Sequence, residues 1–245
     1  FRATGVYLII NKIMKYILVC LLLCITATTF GQSKIIFKER FSNNKRHWKL
    51  QHDSDFVVKI DSGKLYIEKF GVNKIRNGCL WLRKAIPGLN TAKDFSITFY
   101  AKVLFYGEAF RMIDMQWGNL GVWDNYGLST LDSLYQLEIM PTGSVRLSYF
   151  KRGKGWTTYA WSDKPTRSDA EEKDIYFANK QDLSAVIPQT KFNKYEIIQQ
   201  ADTLSVKINK VLVYKRKIKV IDGNSIGIQQ CLKTAWQIDK LIIRQ

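Results

Sequence analysis

Strict alternation between Phe192 and Gln245 constrains the fold more than any other property of the chain. Tyr195 and Ile197 alternate with polar neighbours. After Gln200-Ala201-Asp202 the residues Leu204, Val206 and Ile208 alternate again, and Asn209-Lys210 turns the chain into Val211 and Val213. A side-chain period of two, interrupted by regular turn signals, belongs to antiparallel strands that each bury one face.

The same rhythm runs back through the chain. Strands are expected over Lys34 to Phe41, Phe56 to Ile60 and Leu65 to Glu68, the latter two joined by Asp61-Ser62-Gly63. Leu80 to Ile86 stops at Pro87-Gly88. Phe95, Ile97, Phe99, Ala101 and Val103 share a face opposite Ser96, Thr98, Tyr100 and Lys102. Arg111 to Trp117, Leu134 to Met140, Ser144 to Phe150 and Gly155 to Trp161 follow, then the C-terminal strands. Trp236-Ile238 and Leu241-Ile243 fall on opposite parities, which predicts a bulge near Asp239-Lys240. No helical period appears. The expected fold class is all-β, an antiparallel two-sheet sandwich. Gly118 to Ser133 and the polar stretch Ser162 to Asp182 break the rhythm and read as loops.

The first residues have a different character. Lys15 precedes an apolar run, Tyr16 to Ile25, and small residues surround a cut before Gln32. This is the anatomy of a secretory signal peptide. About ten apolar residues fall short of the roughly 20 that span a bilayer. Residues 1–13, ahead of Met14, read as an upstream extension. The expected organisation is extension and leader over 1–31 and a single β-sandwich domain over 32–245. The protein is expected to be exported to the periplasm, cell surface or medium, with no membrane span after the leader.

The formal charge is +17. Arg2, Lys12 and Lys15 are the only charged residues of 1–31, which leaves +14 beyond the leader. Such a field attracts anionic partners. No RNA-binding or helix-turn-helix signature accompanies it, so nucleic acid is disfavoured against acidic glycans. Lys215-Arg216-Lys217 with Lys219 reads as a solvated strand edge. Cys79 and Cys231 are the cysteines beyond the leader. In an exported chain they are candidates for a disulfide, and two buried thiols explain them equally well.

Several segments, taken in order, resemble the concanavalin A-like jelly roll, and within it laminin-G-like domains and the 3-keto-disaccharide hydrolase domain of exported bacterial proteins. They are Phe41 to Trp48 (FSNNKRHW), Gly63 to Ile67 (GKLYI), Asp94 to Tyr100 (DFSITFY), the strand bracketed by Trp156 and Trp161, Phe192 to Tyr195 (FNKY), Leu204 to Asn209 (LSVKIN), and Gly227-Ile228-Gln229 with Trp236 to Ile243. The resemblance implies a jelly-roll fold and a ligand on one sheet or its rim. Catalytic members of that fold often carry E-x-D-x-x-E on a strand. No such string occurs here, and Arg111-Met112-Ile113-Asp114 replaces the Asn-Ser-Gly of the hydrolase-like family, so inherited hydrolysis is not implied.

Parity alone gathers one polar face from neighbouring strands: Asp114, Gln116, Gln136, Glu138 and Arg146, with Tyr100 expected on the next strand. Trp123, Tyr159 and Trp161 are candidate stacking residues for sugar rings, although tryptophans also fill sandwich cores. Asp114 and Glu138 are the candidate catalytic pair, since glycosidases need two carboxyl groups across the scissile bond. The alternative is a solvated face with Arg146 neutralising Glu138. His47 and His52 lack metal-ligand spacing and no cofactor motif occurs, so no cofactor is required. Asp53, Asp55 and Asp61 could supply oxygens to Ca2+. The expected function is an exported, lectin-like carbohydrate-binding module for a polysaccharide or other glycan, anionic by the chain's charge and non-catalytic. The alternative is a glycoside hydrolase using Asp114 and Glu138.

Overall fold

The computed structural model describes residues 33–70, 79–106, 113–121, 132–139, 145–159, 165–166, 191–231 and 233–245. Its strands are β1 (Ile35–Glu39), β2 (Gln51–His52), β3 (Phe56–Asp61), β4 (Lys64–Lys69), β5 (Leu80–Ala85), β6 (Phe95–Tyr106), β7 (Ile113–Asn119) and β8 (Ser133–Ile139). They continue with β9 (Val145–Lys151), β10 (Gly155–Tyr159), β11 (Pro165–Thr166), β12 (Asn193–Gln200), β13 (Thr203–Ile208), β14 (Val211–Lys217), β15 (Ser225–Gln230) and β16 (Thr234–Arg244). Among the described residues there is no helix, and so none long and apolar enough to cross a membrane.

All pairings are antiparallel and form two sheets. One has nine strands, ordered β14-β13-β12-β6-β16-β4-β3-β2 with β1 also on β16. The other has seven, ordered β11-β10-β9-β8-β7-β15-β5. The alternation seen in the sequence is the packing pattern. Phe95, Ile97, Phe99 and Ala101 of β6 are buried, as are Tyr195 and Ile197 of β12 and Leu204, Val206 and Ile208 of β13. The seven-stranded sheet meets them with Met115, Trp117, Tyr135, Leu137, Ile226 and Ile228 in one continuous core. Phe99 stacks on Tyr195 at 4.9 Å, and Phe95 sets its ring edge against Trp117 of the other sheet at 6.5 Å. This is the antiparallel two-sheet sandwich expected from the alternation, in the jelly-roll form that the resemblance implies.

Strand β16 is the seam of the larger sheet. One edge pairs with β6 along nearly its whole length. The other edge pairs with β4 through Thr234 to Ile238 and with β1 through Leu241 to Arg244. Its register on β6 shifts between Ile238 and Lys240, the position of the parity break in the sequence. The extra residue lets Ile238 and Leu241 both face the core, where each is fully buried.

Two constraints, one covalent and one steric, stand at the ends of the smaller sheet. Cys79 and Cys231 form a disulfide just beyond the Leu80–Gln230 rung that joins β5 to β15. At the opposite end the backbones of Gly118 and Gly223 touch. A Cβ on Gly223 would lie 2.0 Å from the Gly118 carbonyl carbon, and one on Gly118, at φ +129°, would lie 2.6 Å from the Ser133 carbonyl oxygen. Only glycine fits both positions.

Tyr100 is not where the sequence reading put it. It lies on β6 of the nine-stranded sheet, between Lys194 of β12 and Lys240 of β16, on the opposite side of the sandwich from the polar face of β7, β8 and β9. Lys102 lies with it. Strand parity reports which face of a strand is buried, and the chain changes sheets between β6 and β7. In the basic cluster, Lys215 and Lys217 are exposed on edge strand β14, but Arg216 is buried.

Candidate functional site

Strands β7, β8 and β9 are consecutive and pair in sequence order, so their outward residues stand in rows. Asp114 is directly opposite Glu138, and Glu138 opposite Arg146. One step along, Gln116 is opposite Gln136, and Gln136 opposite Ser148. On the far side of β7, strand β15 extends the rows with Gln229 beside Asp114 and Gly227 beside Gln116. Strand β5 then adds Trp81 and Arg83. A third row is apolar: Trp156 of β10, Phe150 of β9 and Leu134 of β8. Trp156 is 40% exposed, with its ring 5.2 Å from Phe150. The outer face of the seven-stranded sheet thus has an aromatic shelf beside a floor of amides and charges.

That floor is buried and almost fully bonded. Asp114, Gln116, Gln136, Glu138, Arg146, Ser148 and Gln229 are all buried. Arg146 donates from Nε to Glu138 Oε2, and its Nη2 lies against the same oxygen. Gln136 donates to both carboxylates, to Asp114 Oδ2 at 3.1 Å and to Glu138 Oε1 at 3.2 Å. Gln116 Nε2 donates to Gln136 Oε1 at 2.7 Å and to Gln229 Oε1 at 2.8 Å. Gln229 in turn donates to Cys231 Sγ at 2.8 Å, which ties the network to the disulfide.

One acceptor stands apart. Gln116 Oε1 is buried without a hydrogen-bond partner. Exchanging the amide's oxygen and nitrogen would not cure this, because Nε2 already donates to two carbonyl oxygens. An orphan of this kind costs about 1–3 kcal/mol. It lies over Gly227, where a side-chain Cβ would come within 3.1 Å of it. At the same margin Arg83 donates to the Leu120 carbonyl at 2.9 Å and lies over Trp81 at 4.6 Å. Burial pushes its guanidinium down to about 10.

Asp114, Gln116, Gln136, Glu138 and Arg146 therefore form one connected cluster, and Tyr100 is excluded from it. Trp123 and Trp161 lie outside the described residues. Tyr159 is placed on β10, opposite Leu147, by its backbone. Gln229, Arg83, Trp81, Ser148 and the Trp156–Phe150 shelf complete the face and were not in the sequence-derived set. Of the calcium candidates, Asp53 Oδ1 accepts from the Asp55 and Phe56 amides at 2.8 Å, and Asp61 lies 3.4 Å from Lys59. Among the described residues no three metal-ligating side chains gather.

No family model matches the chain, and no curated protein matches it. Solved structures do. A Bacillus subtilis protein of unknown function with a galectin-like fold superposes with a TM-score of 0.55 at 9% identity, over 87% of this chain and 97% of that one. A non-specific endo-β-1,3(4)-glucanase of family GH16 gives 0.54 at 9% identity, over 88% and 95%. A Bacillus licheniformis β-glucanase gives 0.50 at 10% identity, over 89% and 100%. At such identities the likeness is one of fold: a concanavalin A-like jelly roll. The narrower laminin-G-like or keto-disaccharide hydrolase assignment has no match behind it.

Proposed function

We propose that the protein is an exported glycan-binding module of lectin type, with its site on the outer face of the seven-stranded sheet. The observation that carries this reading is the unpartnered Gln116 Oε1. It is a buried acceptor in a hydrogen-bonded network, one row from an aromatic shelf. A sugar offers a hydroxyl donor and an apolar ring face together, and a site with an amide floor and a Trp156–Phe150 shelf is built for that combination. The jelly-roll neighbours include two glucanases, which supports a glycan rather than another small ligand.

The second reading is glycoside hydrolysis by Asp114 and Glu138. What favours it is their direct opposition across β7 and β8 and their shared bond to Gln136. What weighs against it is Arg146. Its Nε and Nη2 both engage Glu138 Oε2 while Gln136 bonds Oε1, so both oxygens of that carboxylate are already taken within the protein.

Calorimetric titration of neutral β-glucan and acidic oligosaccharides separates these readings. Gln116→Leu and Trp156→Ala should each weaken binding by about tenfold, the value of one hydrogen bond or one stacking contact. Reducing-sugar release that disappears in Asp114→Asn and Glu138→Gln would establish the hydrolase reading instead. Absence of binding to any glycan would refute both.

A further inference from the structure

The outer face of the other sheet has a different chemistry. Two rows cross it. Lys194 of β12, Tyr100 of β6 and Lys240 of β16 stand opposite one another. Beside them run Lys102 of β6, Gln237 of β16, Tyr66 of β4 and Lys59 of β3. The lysines are paired with aromatic rings: Lys59 Nζ lies 5.2 Å from the Tyr66 centroid, Lys102 5.2 Å from Phe192, and Lys240 5.7 Å from Tyr100. A ring under an ammonium restricts where the charge can sit. At a strand spacing of about 4.8 Å, Lys59 and Lys102 are about 14 Å apart across the sheet, and Lys240 and Lys194 about 10 Å.

At the β2 end of this face lies a cavity of about 520 Å³, lined by Leu50, His52, Lys59, Tyr66, Glu68 and Phe70 among others. Leu50 and Phe70 are 45% and 40% exposed, so the cavity has apolar walls open to solvent. Inside it the Tyr66 hydroxyl donates to the Glu68 carboxylate, and Lys59 provides the cation, half-exposed and only loosely paired with Asp61 at 3.4 Å.

We propose that this face is a second glycan surface, specific for an acidic polysaccharide. An acid-bearing sugar unit enters the cavity beside Lys59, and the chain continues over Lys102 and Lys240. The inference deepens the glycan-binding reading but places the acid-recognising contacts on the sheet opposite the Gln116 site. Apolar walls suit the C–H face of a pyranose. Glu68 accepts its hydroxyls, and ammonium groups held on rings pair with carboxylate or sulfate groups along the chain. Single-stranded nucleic acid is a poorer fit, because base stacking needs a run of bare aromatic faces and here cations lie over Tyr66, Phe192 and Tyr100.

The test compares wild type with Lys59→Gln/Lys102→Gln/Lys240→Gln and with a control of equal net charge, Lys45→Gln/Lys49→Gln/Lys154→Gln. The control lysines are exposed outside the strands. Binding of polygalacturonate, chondroitin sulfate, laminarin and duplex DNA is measured at low and high salt. The first triple should lose about tenfold or more for the acidic glycans, since three exposed charge contacts are removed together. Its salt dependence should also flatten. The control should stay near wild type, and laminarin binding should be unchanged in both. Equal losses in the two triples would reduce the effect to net charge and overturn the proposal. Tighter binding of DNA than of either acidic glycan would also overturn it. If neither triple matters while laminarin binding persists and is lost in Gln116→Leu, this inference falls and the glycan-binding function stands. If wild type binds no glycan, both fall.

Discussion

Glu138 and Arg146 face each other across β8 and β9, and both Nε and Nη2 of the arginine converge on a single carboxylate oxygen, Oε2. Both side chains are buried. The ion pair therefore has little water to fall back on, and its two halves depend on each other.

Removing one half should be costly. Arg146→Leu strands a buried carboxylate and should destabilise the fold by about 3–5 kcal/mol. Glu138→Leu/Arg146→Met removes both charges and should lie much closer to wild type. Urea denaturation of the single and double variants measures the coupling. A double variant as damaged as the single would mean that packing, rather than charge, holds the rows together.

The Cys79–Cys231 disulfide closes a loop with a sequence separation of 152. In the chain-entropy model a loop of that size is worth about 5 kcal/mol, and measured bridges typically give 2–4. Cys79→Ala/Cys231→Ala should therefore unfold at distinctly lower denaturant concentration with an unchanged native spectrum. The variant should also loosen the Gln229 amide, which donates to Cys231 Sγ. Hydrogen exchange along β15 would detect that change.

Tyr195 makes the alkaline limit predictable. Burial pushes its phenol well above the usual tyrosine range, and Tyr66 moves the same way, through burial and then the neighbouring Glu68 carboxylate. A folded value above the unfolded value of 10.0 means that the folded state keeps a proton the unfolded chain releases. The associated stability is intact below pH 10 and is lost as pH rises through the folded value. Tyr195→Phe should show a shallower loss of stability above pH 10. Tyrosinate absorbance during alkaline titration should show Tyr195 ionising only with unfolding. Its early ionisation in native protein would contradict this account.

Gly223→Ala should be among the most damaging small substitutions in the chain. Its methyl would meet the Gly118 backbone rather than a side chain that could rotate away. Overpacking costs about 1–3 kcal/mol where side chains can adjust, and this site should reach or exceed the top of that range. Gly153→Ala, with open space around the new Cβ, is the comparison, although its φ of +76° retains some backbone strain. Thermal melts of the two variants rank them.

Much of this was legible because consecutive strands β7, β8 and β9 pair in order. Parity within each strand then suffices to place Asp114, Gln136, Glu138 and Arg146 in one cluster. The parity break before Leu241 was equally readable, because a strand cannot bury both Ile238 and Leu241 without an extra residue. Tyr100, Gln229 and Trp81 escaped for one shared reason. Their partners come from pairings distant in sequence, β12-β6-β16 on one sheet and β7-β15-β5 on the other. Ser225, Gly227 and Gln229 alternate with Ile226 and Ile228 plainly enough to give β15 a polar face. Nothing in that alternation says that the face continues the row of Asp114 and Gln116. The lysine–aromatic pairs are hidden similarly, since Lys240 and Tyr100 meet only after β16 has inserted beside β6.

That insertion governs the order in which the protein can assemble. As a nascent chain emerges from residue 35 onward, β3 and β4 can zip as a hairpin, and β12, β13 and β14 can join β6. These remain two separate half-sheets, because the strand that bonds both is the last of the described strands to be made. β1, the earliest strand, waits for the same partner. Until residue 244 has left the ribosome, the edges of β4 and β6 are open and unpaired. The rate of reaching the native state is then set by closing contacts that span almost the entire sequence, which is the slow regime of folding. Until β16 is made, the chain lacks the one strand that would lock the larger sheet shut.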